Sequence, residues 1–152
     1  MKRQSGFTLL ELVVTATVLI ILASAVVPLA RNGLKRQAEL ELRRTLREMR
    51  GAIDDYKKQA ELSKIKAPPA DANFYPASLE ILVEGVPAAG SLSRKVRFLR
   101  RIPVDPLTGK AEWGLRNSSD EANSTSWGGS HVYDVYTLSQ GTGMNGIPYR
   151  EW

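Results

Sequence analysis

Residues 6–30 of this chain read GFTLLELVVTATVLIILASAVVPLA, and this stretch decides the architecture. The 19 residues from 12 to 30 carry no charge. At a helical rise of about 1.5 Å per residue, they cover roughly the 30 Å hydrocarbon thickness of a bilayer. The stretch therefore predicts a membrane-spanning helix, in which the hydroxyls of Thr15 and Thr17 bond back to the helix backbone.

Two other interpretations of the apolar stretch are weaker. A conventional secretory signal ends in a small-x-small cleavage site, and Ala23-Ser24-Ala25 has that pattern. However, the apolar run continues beyond this point to residue 30, and a glutamate lies near its start. A buried helix of a globular domain does not need 19 uncharged residues in a row. The membrane-spanning helix remains the favoured prediction.

Glu11 is the one charged residue between positions 7 and 30. A carboxylate near the start of a membrane-embedded helix costs free energy unless it is paired, so Glu11 is a candidate functional residue. Cleavage between Gly6 and Phe7 would create an α-amino group one helical turn before Glu11. The alternative is a glutamate that is merely tolerated at the depth of the lipid headgroups.

The sequence from Gly6 to Glu11 follows a short basic leader, and it resembles the type III signal of type IV pilins and type II secretion pseudopilins. The resemblance implies cleavage between Gly6 and Phe7 by a prepilin peptidase and N-methylation of Phe7. It also implies that Glu11 faces the Phe7 amine of a neighbouring subunit in a filament. Pro28 matches the family's mid-segment proline, where the loss of one helical hydrogen bond lets the helix loosen during assembly.

The same resemblance implies a location for each part of the chain. Residues 1–6 would be a cytoplasmic leader, and residues 7–30 a single transmembrane and filament-core helix in the bacterial inner membrane. The remainder would lie in the periplasm and later in a periplasmic filament. Lys2 and Arg3 agree with a cytoplasmic leader, although three cations between positions 31 and 36 reduce the charge asymmetry.

Residues 31–66 predict an amphipathic helix that continues the anchor. Apolar residues at gaps of three and four mark one face of this helix. They are Leu34, Ala38, Leu42, Leu46, Met49, Ile53, Tyr56 and Ala60. This stripe is predicted to be the seat of a small domain, with a coiled-coil dimer as the alternative. Ion pairs at helical spacing are predicted between Glu39 and Arg43 and between Glu41 and Arg44. The helix is predicted to stop by the breaker at 66–69.

Residues 67–152 predict a small globular region. A short helix is predicted over 74–82, a loop over 85–90 and a rigid, turn-rich loop over 102–109. Residues 111–115 and 131–138 have the alternating, β-branched and aromatic character of strands. Tyr149 and Trp152 are predicted to pin the glycine-rich tail to the domain. The expected fold class is therefore α+β and pilin-like, with a long N-terminal helix, a short helix and antiparallel strands.

A second resemblance covers most of residues 75–138. Tyr75-Pro76, Ile102-Pro103-Val104-Asp105-Pro106, Trp113-Gly114 and Asp134-Val135-Tyr136 resemble the C-terminal domain of the major pseudopilins of type II secretion. The resemblance implies a structural subunit that self-associates into a helical filament and drives protein secretion. Its implied partners are other copies, the prepilin peptidase, the inner-membrane platform of the secretion system and minor pseudopilins.

Calcium is the one cofactor that the resemblance implies, bound in the C-terminal loop. Calcium prefers six to eight oxygen ligands, usually with carboxylates among them. The candidates here are Asp134, Ser139, Gln140 and Asn145. Gln140 and Asn145 stand where relatives more often have aspartate. At most a weak calcium site is therefore expected, and no other cofactor.

Several classes of chemistry are excluded by composition. There is no cysteine and only one histidine, His131, so a disulfide, a thiolate nucleophile and a multi-histidine metal site are excluded. The G-x-G-x-x-G pattern at 141–146 precedes no helix that could bind a pyrophosphate. The net charge is +5, but no nucleic-acid-binding signature accompanies the basic residues, which argues against nucleic acid as a partner. No enzymatic activity is expected.

Two alternatives to the secretion filament remain open at this level. The first is a pilin of a type IV or DNA-uptake pilus, for which the basic surface would matter. The second is a membrane-tethered periplasmic binding domain or enzyme. It would need a convergent constellation of polar residues, and the sequence has none.

Overall fold

The computed structural model describes residues 8–66, 68 and 72–152, without the side chains of residues 25–31 and 92. Two helices and four strands follow in chain order: α1 (Leu9–Glu61), α2 (Leu79–Glu84), β1 (Val86–Ala88), β2 (Ser91–Val96), β3 (Trp113–Arg116) and β4 (Asp134–Thr137). The predicted α+β class, with a long N-terminal helix, a short helix and antiparallel strand pairs, is confirmed. By its contacts the chain divides into two compact units, Met1–Gln37 and Ala38–Trp152.

In the first unit, α1 satisfies its polar groups locally. The hydroxyls of Thr15 and Thr17 donate hydrogen bonds to the carbonyls of Leu12 and Val13, at 3.0 and 2.8 Å, as predicted from the sequence. The membrane-spanning segment at 12–30 stays a prediction, because the side chains of its last residues lie outside the described part of the chain. Within the residues described, no helix combines the length and the apolar character needed to cross a bilayer.

In the second unit, one face of α1 forms the base of the hydrophobic core. The predicted stripe is buried from Leu42 to Ala60, and Leu42, Met49 and Ile53 are fully buried. The stripe does not extend as far as predicted at its N-terminal end, where Leu34 is 68% exposed. The core therefore begins one to two helical turns later than periodicity alone indicated.

The helix α1 ends at Glu61, before the predicted stop at 66–69. Ser63 adopts a left-handed conformation with φ 53°, and its N–H donates to the carbonyl of Ala60. The N–H of Lys64 donates to the carbonyl of Gln59. These two bonds form a Schellman motif, which usually has glycine at the left-handed position. Because serine stands here in place of the usual glycine, no glycine in the sequence marks the end of the helix.

The first strand pair was not predicted. Strands β1 and β2 form an antiparallel hairpin in which Val86 lies opposite Val96, with an irregularity after Pro87. The predicted loop over 85–90 is therefore wrong, because it contains β1. Main-chain hydrogen bonds join residues 64–66 to Pro87 and Ala89, so the hairpin is attached to the end of α1.

The short helix α2 begins at Leu79 rather than at 74. Asn73 and Phe74 both have left-handed backbone conformations, with φ 51° and 66°, which no α-helix can include. The chain after β2 packs back onto this helix, since the N–H groups of Phe98 and Leu99 both donate to the carbonyl of Leu82.

Strands β3 and β4 form the second antiparallel pair, shorter than the predicted strands at 111–115 and 131–138. Gly114 lies opposite Tyr136, and a Cβ atom at Gly114 would lie 2.1 Å from the Tyr136 ring. Only glycine lets the aromatic ring lie flat on the neighbouring strand at this point. The loop over 102–109 is tied to the same pair, because fully buried Asp105 accepts a hydrogen bond from the Thr137 hydroxyl.

Candidate functional site

The N-terminal candidate residues are described only in part. Gly6 and Phe7 lie outside the described residues, as does the side chain of Pro28. Glu11 is described: its N–H donates to the hydroxyl oxygen of Thr8 at 3.2 Å, so Thr8 is the N-cap of α1. Thr8 and Glu11 have the spacing of a capping box, and this places Glu11 in the first turn of the helix.

Around Glu11, α1 presents apolar side chains on all sides. We call residues 9–22 the apolar sleeve. Its large hydrophobic side chains are between 49% and 84% exposed, with Val18 the least and Leu9 the most exposed. The Glu11 carboxylate makes no ion pair within the described part of the chain. Contiguous apolar surface of this kind marks a site of interaction with protein or lipid, because water alone solvates it poorly.

A second candidate site lies in the unit Ala38–Trp152, where the C-terminal segment, residues 139–152, packs on α1. Glu39, which is only 8% exposed, lies on the helix with Oε1 pointing at the segment. This oxygen accepts hydrogen bonds from the N–H of Met144 at 2.9 Å and from the hydroxyl of Tyr149 at 2.8 Å. Burial, together with the hydrogen bond to the Glu39 carboxylate and its charge, raises the pKa of Tyr149 to about 12.

Arg50 lies further along α1, on the same side of the domain. Its guanidinium donates to Asp134 Oδ1 at 2.6 Å, to the carbonyl of Val135 at 3.2 Å and to the main-chain oxygen of Trp152 at 2.7 Å. Arg50 thus bonds both to the start of β4 and to the C-terminal segment. The guanidinium of Arg43 stacks over the Trp152 ring, 4.2 Å from its centroid.

Arg116, on β3, completes this network of charges. Its side chain is 5% exposed, and its Nη1 lies 3.5 Å from Asp134 Oδ2. It donates to the carbonyls of Ser124 at 2.9 Å and of Arg150 at 2.9 Å. Asp134 therefore lies between two guanidinium groups, and Arg116 links the loop before β4 to the C-terminal segment.

The residues predicted as weak calcium ligands are already used within the protein. Asp134 pairs with the two arginines. Ser139 Oγ accepts a bond from the Gly141 N–H, and Asn145 Oδ1 accepts one from the Ile147 N–H. Gln140 donates its side-chain amide to the carbonyl of Leu138. Among the described residues, no three acidic or histidine side chains gather as a metal site would require.

His131 is buried and has hydroxyl groups at both ring nitrogens. Ser118 Oγ lies 2.9 Å from Nε2 and Ser130 Oγ lies 2.9 Å from Nδ1, while Tyr75 stacks on the ring. The Ser118 N–H also donates to Nε2. In the described part of the chain no carboxylate contacts the ring, and the Ser118 N–H occupies Nε2, so these residues do not form the arrangement of a catalytic triad. It holds the loop after β3 in place.

The sequence indicates the C-terminal anchors but not their partners on α1. Tyr149, which is 4% exposed, and Trp152 do pin the segment to the domain, as predicted. The predicted ion pair between Glu39 and Arg43 is wrong, because both side chains turn toward the C-terminal segment. The available signal in the sequence is the spacing of Glu39, three residues before Leu42 and seven before Leu46, which places it beside the buried stripe.

Comparisons with known proteins find similarity over the N-terminal segment and over most of the chain. The family model described as the prokaryotic N-terminal methylation motif matches residues 1–27, which include Gly6, Phe7 and Glu11. Type II secretion system core protein G of Klebsiella pneumoniae is 30% identical over 154 residues, covering 97% of this chain and 90% of that protein. Core protein G of Aeromonas hydrophila is 33% identical over 111 residues, covering 69% of this chain and 68% of that protein. No solved structure matches the chain significantly.

Proposed function

This chain belongs to the family of type II secretion system core protein G, and from that premise we propose that it acts by packing its apolar N-terminal helix against those of other copies in a periplasmic filament. It is a pseudopilin, a structural subunit of a type II secretion system, and it is not an enzyme. The similarity to core protein G favours the secretion filament over the two alternatives that the sequence left open.

The apolar sleeve is the observation that supports this mechanism most directly. The second unit buries its own core, with Leu42, Met49 and Ile53 fully enclosed, whereas residues 9–22 bury none of their large apolar side chains. The hydrophobic effect favours covering this surface, first by lipid and then by equivalent helices of other subunits. A helix that is apolar all round suits both environments, because its backbone hydrogen bonds are satisfied internally.

Pairing of Glu11 with the Phe7 amine of a neighbour is proposed to set the position of each new subunit in the filament. Cleavage after Gly6 would leave a free α-amino group on Phe7, and the methylation motif covers both residues. In a subunit entering the filament, this amine is the cation that can neutralise the Glu11 carboxylate of a neighbour. Losing one member of a buried charge pair costs about 3–5 kcal/mol, since the other charge stays uncompensated.

The same proposal gives a cellular location for each part of the chain. The leader would stay in the cytoplasm, residues 7–30 would cross the inner membrane once, and the unit Ala38–Trp152 would fold in the periplasm. A prepilin peptidase would remove residues 1–6. The inner-membrane platform and the minor pseudopilins would then guide subunits into the filament, and its growth would push substrate outward.

Substitution of Glu11 tests the proposal. Glu11→Ala is expected to insert, to be cleaved and to keep a normally folded second unit, yet to give few filaments and little secretion. Glu11→Asp, with a shorter reach, is expected to be intermediate. Glu41→Ala is the matched control, because Glu41 is an exposed glutamate on the same helix. Sheared filaments and secreted cargo are measured side by side. Assembly of Glu11→Ala at the level of the parent would refute the pairing.

A further inference from the structure

The family resemblance implies a calcium ion bound in the C-terminal loop. The donor groups of this chain do not fit that ion. Several main-chain oxygens of the segment accept hydrogen bonds from N–H groups within it: Gly141 O from Tyr149, Gly143 O from Gly146 and Ile147 O from Gly143. The guanidinium of Arg116 donates a hydrogen bond to the carbonyl of Arg150, and that of Arg50 donates one to the main-chain oxygen of Trp152. Calcium usually needs carboxylates among its six to eight oxygen ligands, and no three acidic or histidine side chains gather among the described residues.

Ion pairing also disfavours Asp134 as a calcium ligand. Asp134 is the one carboxylate at the start of the tail, and two guanidinium groups lie within 3.5 Å of it. A divalent cation would have to break both of these ion pairs before it could bind the Asp134 carboxylate.

We propose that side chains of α1 and β3 replace calcium in this protein: Glu39, Arg43, Arg50 and Arg116 hold residues 139–152 in place, so the second unit keeps its fold without any divalent cation. The inference does not depend on filament assembly. Positions 39, 43 and 50 are four and seven residues apart, so they lie along one side of α1, facing the segment.

Glu39 is the central positioning residue of this arrangement. One carboxylate oxygen, Oε1, accepts hydrogen bonds from the N–H of Met144 and from the hydroxyl of Tyr149, which are five residues apart in the segment. Hydrogen bonds to an ionised carboxylate are about twice as strong as neutral ones. The close packing of Trp152 on Gly143 and of Tyr149 on Gly141 then closes the segment on itself, because a Cβ atom at either glycine would lie within 3 Å of the ring.

The first measurement asks whether calcium matters. The full chain, purified in detergent micelles, is stripped with EDTA and melted with and without millimolar CaCl₂, and Ca²⁺ binding is followed by calorimetry. We expect no heat of binding and a Tm difference below about 2 °C. A large upward shift of Tm on adding Ca²⁺, reversed by EDTA, would overturn the proposal, since ligand at 100 times Kd adds about 2.7 kcal/mol.

The second measurement asks whether the named side chains hold the segment. Glu39→Ala is expected to lower the Tm by at least about 5 °C and to make residues 139–152 accessible to limited proteolysis, in EDTA and in Ca²⁺ alike. Tyr149→Phe, which removes one hydroxyl and leaves the packing intact, should show the same effects at smaller size. Glu48→Ala, an exposed glutamate of the same helix, is the control and should change neither readout. Resistance to proteolysis in both variants equal to that of the parent would also overturn the proposal.

Discussion

The carboxylate of Glu39 and the hydroxyl of Tyr149 lie 2.8 Å apart although 110 positions separate them in the chain. The phenol donates to the carboxylate, and both groups are shielded from water: Glu39 is 8% exposed and Tyr149 is 4% exposed. Deprotonation of Tyr149 would place two negative charges side by side in a buried setting. The pKa of Tyr149 is accordingly raised to about 12.

This pKa predicts how stability depends on alkaline pH. The raised pKa means that the folded state holds the phenolic proton more tightly than the unfolded state, whose tyrosine titrates near the ordinary value of about 10. The contribution of Tyr149 is thus complete below pH 10 and is lost as the pH rises to about 12. The loss amounts to roughly 3 kcal/mol, at about 1.4 kcal/mol per pKa unit.

Denaturant unfolding of the parent and of Tyr149→Phe across this pH range checks the prediction. Other tyrosines and lysines also titrate there, so the quantity of interest is the difference in free energy of unfolding between the two proteins. It should favour the parent at pH 8 and shrink above pH 10. A difference that stays constant to pH 12 would contradict the assigned cause of the pKa shift.

Processing of the N-terminus is the second prediction. Cleavage is expected between Gly6 and Phe7, with one methyl group on the new amine, because the methylation motif matches residues 1–27. Intact-mass and terminal-peptide mass spectrometry of protein from its own host decide the matter. An intact Met1, or a new terminus near Ser24, would favour a conventional membrane anchor or a conventional signal peptide instead. Gly6→Leu should block cleavage, since a side chain at this position hinders entry into a tight active site.

The third prediction is that two glycine-to-alanine substitutions change the free energy of unfolding in opposite directions. Gly114→Ala should lower the free energy of unfolding by about 1–3 kcal/mol, because the new methyl group would overlap the Tyr136 ring. Gly51→Ala should raise it by roughly 0.5–1 kcal/mol, since Gly51 lies in the interior of α1 and the added carbon meets nothing within 4 Å beyond the adjoining residues and the nearby helix backbone. Urea unfolding of both variants provides the comparison. A Gly114→Ala protein as stable as the parent would show that Tyr136 can move aside freely.

The fourth prediction concerns Asp105, which joins the proline-rich loop to β4. Its carboxylate is fully buried and accepts bonds from the Leu107 N–H at 2.8 Å and from the Thr137 hydroxyl. Thr137→Val keeps the shape but removes the donor, and it should cost about 1–3 kcal/mol because a buried acceptor loses its partner. Thr137→Ser keeps the hydroxyl and should retain more of the stability. Thermal melts of the two variants distinguish loss of the hydrogen bond from loss of the methyl group, and equal losses would contradict the assignment.

Local patterns in the sequence predicted the parts of the structure that depend on neighbours along the chain. The hydroxyl bonds of Thr15 and Thr17 and the buried stripe from Leu42 to Ala60 both follow from helical spacing. The hairpin of β1 and β2 was missed because its strands are short, contain Pro87 and carry charged residues. No local pattern marks them as strands.

The missed contacts of the candidate site depend on residues far apart in the sequence. Arg50 and Asp134 are 84 positions apart, and nothing near either residue reveals the other. Glu39 and Arg43 have the spacing of a helical ion pair, and this local rule gave the wrong partners. It failed because packing the tail on α1 buries the carboxylate, and a buried carboxylate favours donors that are buried with it.

Strand β2 has one further consequence for a protein that gathers into filaments. Within the described residues it pairs with β1 alone, so no strand covers its other edge. Concentrated, aligned copies of such an edge are a template for amyloid-like strand addition. Arg94, Lys95 and Arg97 are exposed along and just beyond this edge, and like charges on two such edges repel each other. Under the proposed function, these basic residues would oppose sheet-to-sheet aggregation while the helices associate.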